Sequence, residues 1–212
     1  MRVLISIILF IYFSFCVKAQ NVFDAADTLG FEYSRWTNEE KLKAITTNNA
    51  DYLSEVEKEV IILANLSRIN PKLFSKTFLL QYITSNQLTS NSYVRSLQRT
   101  LKRMKALAAF VPDEKLFELA KSHAIWSGEK GRVGHQNFSR RSNSSGYNYF
   151  AENCQYGYNT AIDIFMDLLI DEGIPDYGHR NNFMSKDTKF IGVSIQPHKK
   201  YDYNCVIDFG GN

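Results

Sequence analysis

Three of the four histidines, His123, His135 and His179, fall within one 57-residue window together with Glu152. Neutral imidazole nitrogens beside a carboxylate form an ordinary ligand set for zinc and related divalent ions. Each of the three sits where the chain holds a side chain in place. Gly134 precedes His135, Gly178 precedes His179, and His123 falls on the inward face of a helical pattern. His198 lies in a polar turn and reads as structural. Spacing alone names no reaction: there is no HExxH, no CxxC pair and no glycine-rich phosphate loop, so metalloprotease, zinc-ribbon and nucleotide-binding readings lack local support. A Ser/His/Asp hydrolase would want a GxSxG elbow, which is also missing. Cys154 with His135 and Asn153 could be arranged as a thiol protease, but an exported thiol with a partner available in Cys205 disfavours it.

The elements that must position these groups are legible from periodicity. Ser54 and Glu57 form a capping box, and Leu53, Val56, Val60 and Leu63 recur at helical spacing up to Asn70-Pro71. A second helix has Val94, Leu97, Leu101 and Met104 on one side, with Arg95, Arg99, Lys102, Arg103 and Lys105 on a solvated face. A third starts near Pro112-Asp113 and runs to Gly128, with Leu116, Leu119, Ala120, His123 and Ala124 on one face. His123 therefore points inward. The Ser- and Asn-rich stretch RRSNSSGYN reads as loop, and a fourth helix spans Thr160 to Gly173. KFIGVSIQP and YDYNCVIDFGG, separated by a polar turn, read as an antiparallel hairpin. Helices preceding strands give an α+β class, with helices packed on a small antiparallel sheet.

The N-terminus has a different character. MRVLISIILFIYFSFCVKAQ begins with Arg2, continues with an apolar run and ends in a small-residue site before Gln20, which is how a secretory signal peptide is built. The run is shorter than the roughly 20 residues that span a bilayer, so export with cleavage is expected and no transmembrane segment remains in the mature chain. Residues 1–19 are the signal, 20–50 a polar leader with scattered aromatics, and 51–212 the domain. Loss of Arg2 and Lys18 lowers the basic count from 25 to 23 against 22 acidic residues, and the net charge from +3 to +1. No electrostatic case for nucleic acid or an anionic membrane survives. Cys154 and Cys205 are then an even pair in an oxidising compartment, where a single disulfide is expected in preference to two buried thiols.

Six ordered signatures, EVIILANLSRINP, LFELAKSHA, GRVGH, AENCQYG, DEGIPDYGHRNNFM and FIGVSIQ, run from about Ser54 to Gly211. Together they resemble the CAP superfamily of cysteine-rich secretory, antigen 5 and pathogenesis-related proteins, or SCP-like domains, and its exported bacterial branch in particular. The resemblance implies a three-layer α-β-α sandwich with a cleft over the sheet. In the family that cleft holds two histidines and two acidic residues, which bind a divalent metal such as zinc in some members. Residue by residue, His135 matches the first histidine, Glu152 the first glutamate and His179 the second histidine. The second acidic residue has no clear match; Asp167 and Asp171 are its candidates, and His123 compensates in a set of three histidines and one carboxylate that suits tetrahedral zinc. Cys154 and Cys205 belong to segments of the same small sheet, which makes a bridge between neighbouring strands plausible.

Family membership constrains fold more tightly than function. The first expectation is an exported protein, secreted, periplasmic or on the cell surface, whose cleft binds a metal or a small ligand such as a lipid without assured catalysis. Its enzyme alternative is a metal-dependent hydrolase or peptidase with Glu152 as general base. A third is a protein partner bound on the outer surface, the cleft being structural.

Overall fold

The computed structural model describes residues 30–88 and 91–212. The expected signal peptide, and the first part of the leader, lie outside the described residues. In chain order the elements are α1 (Phe31–Ser34), α2 (Asn38–Ala44), α3 (Glu55–Ile69), α4 (Pro71–Lys76), α5 (Phe78–Ser85), α6 (Ser92–Arg103), β1 (Val111–Pro112), α7 (Glu114–Lys130), α8 (Phe138–Ser145), β2 (Tyr149–Tyr156), α9 (Ala161–Ile170), α10 (Gly178–Met184), β3 (Phe190–His198) and β4 (Asp202–Gly211). The sheet order is β1-β3-β4-β2, with β1 parallel to β3 and the other neighbours antiparallel. Helices α7 and α8 cover one face and α3, α9 and α10 the other, which is the α+β sandwich expected.

Alternation along the strands sorts the two faces. Ile191, Val193, Cys205, Ile207 and Phe209 enter the large core under α3 and α9, where Phe209 meets Phe183 and Phe110 with ring centroids 5.3 and 5.6 Å apart. The opposite face carries small side chains: Cys154 and Val206 pack with Ala120 and Ala124 of α7. Two glycines complete that close approach. A Cβ on Gly192 would stand 2.1 Å from the Phe117 nitrogen, and one on Gly128 would stand 2.0 Å from the Pro197 oxygen. The helix lies almost on the strands, so any side chain it aims at the sheet is desolvated.

Helix α3 anchors the irregular segments. Its capping box forms as the sequence predicts, with Ser54 accepting from Glu57 N and the Glu57 carboxylate accepting from Ser54 N at 2.7 Å. That carboxylate also accepts from Ile195 N at 2.8 Å, tying the helix start to β3. Asn65 donates to Ala44 O at 2.8 Å and accepts from Phe110 N at 2.7 Å. Arg68, 2% exposed, donates to the main-chain oxygens of Ala108, Phe183, Ser185 and Thr188, with its guanidinium 4.0 Å over the Phe110 ring. Burial pulls its pKa down to about 10, and those carbonyls stand in for the missing carboxylate. The leader is docked as well: Tyr33 and Trp36 are buried in the same core.

Several expectations change. The third predicted helix runs two residues past Gly128 and stops at Gly131 in the left-handed region (φ 60°). The fourth ends at Ile170, because Asp171 takes the left-handed cap (φ 62°). RRSNSSGYN is partly helical, as α8, because Arg141 within it is drawn onto the sheet. The expected disulfide is absent, and Cys154 and Cys205 are both free. In the β2–β4 ladder Cys154 pairs with Val206 while Cys205 pairs with Gln155. A one-residue offset between adjacent strands sends the two side chains to opposite faces, out of bonding reach.

Two measurements check these assignments. Replacing Arg68 with Met strands four carbonyls, so chemical denaturation is expected to show a loss of about 3–5 kcal/mol; a loss below about 1 kcal/mol would remove Arg68 as an anchor. Alkylation of the denatured, unreduced protein followed by mass spectrometry is expected to label both Cys154 and Cys205, and an unlabelled pair would reinstate the bridge.

Candidate functional site

Glu152 lies on β2, the edge strand of the sheet, directly across the ladder from Asp208 on β4. Its side chain is fully buried, so a cation or donors must compensate it. Arg141 supplies both: its Nε donates to Oε2 at 2.8 Å and its Nη2 to Oε1 at 2.8 Å, a bidentate fork, while Nη1 donates to Gln136 O at 2.6 Å. His135 completes the set through Nδ1, which donates to Oε1 at 2.8 Å. Burial opposes ionisation of Glu152, but the His135 hydrogen bond and the Arg141 charge outweigh it and hold its pKa below the usual value.

The loop from Gly131 to Asn137 is pinned at Gly134, which sits at φ 94°, a conformation that favours glycine. Its N–H donates to the Tyr156 hydroxyl at 2.8 Å, and its carbonyl accepts from His123 Nε2 at 2.9 Å. Those two bonds place His135 at the mouth, 46% exposed on its side chain. With Nδ1 given to Glu152, its Nε2 keeps a free lone pair at the solvent side. His123, by contrast, is 3% exposed and stacks against Trp126; burial lowers its pKa and keeps it neutral.

Cys154, two residues along the same face, places its sulfur 3.6 Å from His135 Nδ1 and 3.8 Å from Glu152 Oε1. Burial and the nearby Glu152 charge push its pKa up, so the thiol is neutral and weakly nucleophilic. His123, Glu152 and Cys154 each offer a ligand atom, all within 4.8 Å of one another, so this buried group could hold a metal ion. Imidazole, carboxylate and thiolate are a zinc-class donor set. The fit is conditional on charge. A cation entering here meets the Arg141 guanidinium on Glu152, Cys154 must lose its proton, and His123 must switch tautomer and release the Gly134 carbonyl from Nε2, the nitrogen that faces Glu152.

His179 is held elsewhere. Its Nδ1 donates to Asp171 Oδ1 at 2.7 Å, and Asp171 Oδ2 accepts from Arg180 N at 3.1 Å. Asn153 and Gln155, whose side chains leave β2 on the face opposite Glu152, bind this second group: Asn153 donates to His179 O at 3.0 Å and Gln155 to Asp167 at 3.4 Å. Burial raises the Asp167 pKa. The candidate residues thus form two carboxylate–histidine pairs flanking one edge strand. His198 is structural, with Nε2 donating to Arg132 O at 2.9 Å and Nδ1 accepting from Lys200 N and Tyr201 N.

Two participants escaped the sequence reading. Arg141 was hidden in an apparent loop, although a carboxylate opening a buried strand demands a cation nearby. Asp208 is an acid inside the apolar run CVIDF; it is fully buried, and its oxygens accept no hydrogen bond from the described residues. Burial first, and then the Glu152 charge, push its pKa well up, which favours the protonated, neutral carboxyl.

Comparison with known proteins follows the same lines. The model of the cysteine-rich secretory protein family, CAP, matches residues 88–209. No curated protein matches the sequence. Among solved structures, the chain is similar to an outer surface protein of Borrelia burgdorferi at 20% identity, covering 61% of this chain and 95% of that one with a TM-score of 0.43. It is similar to venom allergen-like protein 4 of Schistosoma mansoni at 14% identity, over 76% and 91% of the two chains with a TM-score of 0.46. A cysteine-rich secretory protein of Staphylococcus aureus is 18% identical over 60% of this chain and 39% of its own, with a TM-score of 0.39.

The raised pKa of Asp208 has a definite sign in stability. The fold keeps a proton that the unfolded chain releases above a pKa of about 3.9, so this group makes stability fall as pH rises from there toward the folded-state value. From pH 4 to 8 the denaturation midpoint of the parent is expected to fall relative to that of Asp208→Asn, which keeps the shape without the titration. An unchanged slope in that variant would mean Asp208 is ionised in the fold.

Proposed function

Since this chain belongs to the cysteine-rich secretory protein (CAP) family, we propose that it is an exported binding protein whose Glu152 site takes a divalent ion of the zinc class. The observation that carries the reading is the convergence of His123, Glu152 and Cys154 ligand atoms within 4.8 Å. His135 stands at the entrance with a carboxylate-oriented ring, the arrangement that fixes metal-binding imidazoles. Bound there, the ion would supply Lewis acidity and a fixed positive charge.

What the chain's own groups do favours holding over turnover. Glu152 accepts from Arg141 twice and from His135 once, and its lowered pKa makes it a weak base. The neutral Cys154 is a ligand in reserve: it binds only after giving up its proton. Arg141 has a second task, since it neutralises Glu152 while the site is empty and Gln136 O keeps hold of its Nη1. Export rests on the N-terminal run MRVLISIILFIYFSFCVKAQ. No helix among the described residues is long and apolar enough to cross a membrane.

Calorimetric titration of Zn²⁺ into the metal-stripped protein is expected to give one-to-one binding. His123→Ala and Cys154→Ser should each weaken it by about 10–100-fold, with folding checked by circular dichroism. Affinity should rise between pH 6 and 8, by about tenfold per unit for each proton released. Binding that neither variant alters, or that is insensitive to pH, would sink this site.

A further inference from the structure

Beyond the Glu152 cluster, a cavity of about 370 Å³ opens between α7 and α8, within the roughly 300–1,000 Å³ range of small-ligand sites. Its walls are two facing helical stripes. Leu119, Ser122, His123 and Trp126 recur at i, i+3, i+4 and i+7 on α7, and Asn137, Arg140, Arg141 and Ser144 repeat the same spacing along α8. Trp126 and Ser122 also line an adjoining cavity of about 370 Å³ on the outer side of α7. The two spaces share one aromatic ring.

Three groups on these walls lack an internal employer. The guanidinium of Arg140 is exposed and has no hydrogen bond or ion pair among the described residues, unlike that of Arg141, which Glu152 neutralises. Asn137 stands at the helix start in the left-handed region (φ 59°), yet its side chain makes no capping bond. Ser122 is exposed on the facing helix. Asn and Ser at such places normally spend their polar atoms on the backbone, so both are left to face the cavity. The half-buried Trp126 is held by its stacking on His123, with ring centroids 6.0 Å apart and planes 16° from parallel.

From this lining we infer a site for an acidic sugar, a pyranose ring bearing a carboxylate. The apolar face of such a ring matches a fixed indole, its hydroxyls match Asn137 and Ser122, and its carboxylate matches the unpaired planar fork of Arg140. The polarity of the walls disfavours an acyl chain. A bare inorganic anion would use Arg140 alone and leave Trp126 and Asn137 without purpose.

The test is fluorescence and calorimetric titration of the purified protein with glucuronate, with glucose and sodium sulfate as controls. Saturable binding of glucuronate is expected, weaker by about tenfold or more for glucose and undetectable for sulfate at the same concentrations. Arg140→Ala and Trp126→Ala should each lower glucuronate affinity by about tenfold or more, and Arg140→Ala should leave Zn²⁺ binding unchanged. Absence of saturable glucuronate binding, equal binding of glucose or of sulfate, or an Arg140→Ala protein that binds glucuronate like the parent would each overturn the proposal.

Discussion

The site depends on one interaction, the bidentate pair between Glu152 and Arg141 inside the layer between the sheet and α7. A carboxylate with no solvent exposure is affordable only with full compensation, and losing one partner of such a pair costs about 3–5 kcal/mol. That requirement explains why a Ser- and Asn-rich segment coils into α8: the helix delivers Arg141 to the sheet. It also explains the orientation of His135, the third donor on the same carboxylate. Burial and the charge of Glu152 directly opposite push the Asp208 pKa well up, because two charged carboxyls side by side in this layer would exceed what one guanidinium balances.

The edge strand β2 converts this local chemistry into a division of labour. Phe150, Glu152, Cys154 and Tyr156 face α7 and α8, whereas Ala151, Asn153 and Gln155 face α9 and α10. One face assembles His123, His135 and Cys154 around Glu152; the other assembles His179, Asp167 and Asp171. Each histidine of the two carboxylate pairs gives Nδ1 to an acid and keeps Nε2 for whatever arrives. The same alternation separates Cys154 from Cys205, which is why two cysteines on neighbouring strands stay thiols.

Close packing sets the electrostatics. Gly192 and Gly128 let α7 settle onto β3, and small residues at Ala120, Ala124, Cys154 and Val206 fill the interface without spacing it apart. Groups caught there lose solvent, which raises the pKa values of Cys154 and Asp208 and lowers that of His123. The resting site is therefore rich in neutral donors and acceptors, with one compensated ion pair.

Local patterns determined the elements. The capping box at Ser54 and Glu57, the apolar stripe ending in Ala124, and the alternation of FIGVSIQ each carry their own structure in a few neighbouring residues, so the α+β class and the hairpin were readable. Residue types determined which chemistry was available, through three histidines near one buried-strand glutamate. Which groups actually meet was decided by tertiary structure alone. Ladder register put Asp208 beside Glu152 and parted the cysteines, and the left-handed cap at Asp171 aimed that acid at His179. Register, crossing distance and burial are properties of segments far apart in the chain. No window of sequence contains them, and the partners and charge states of this site follow from them.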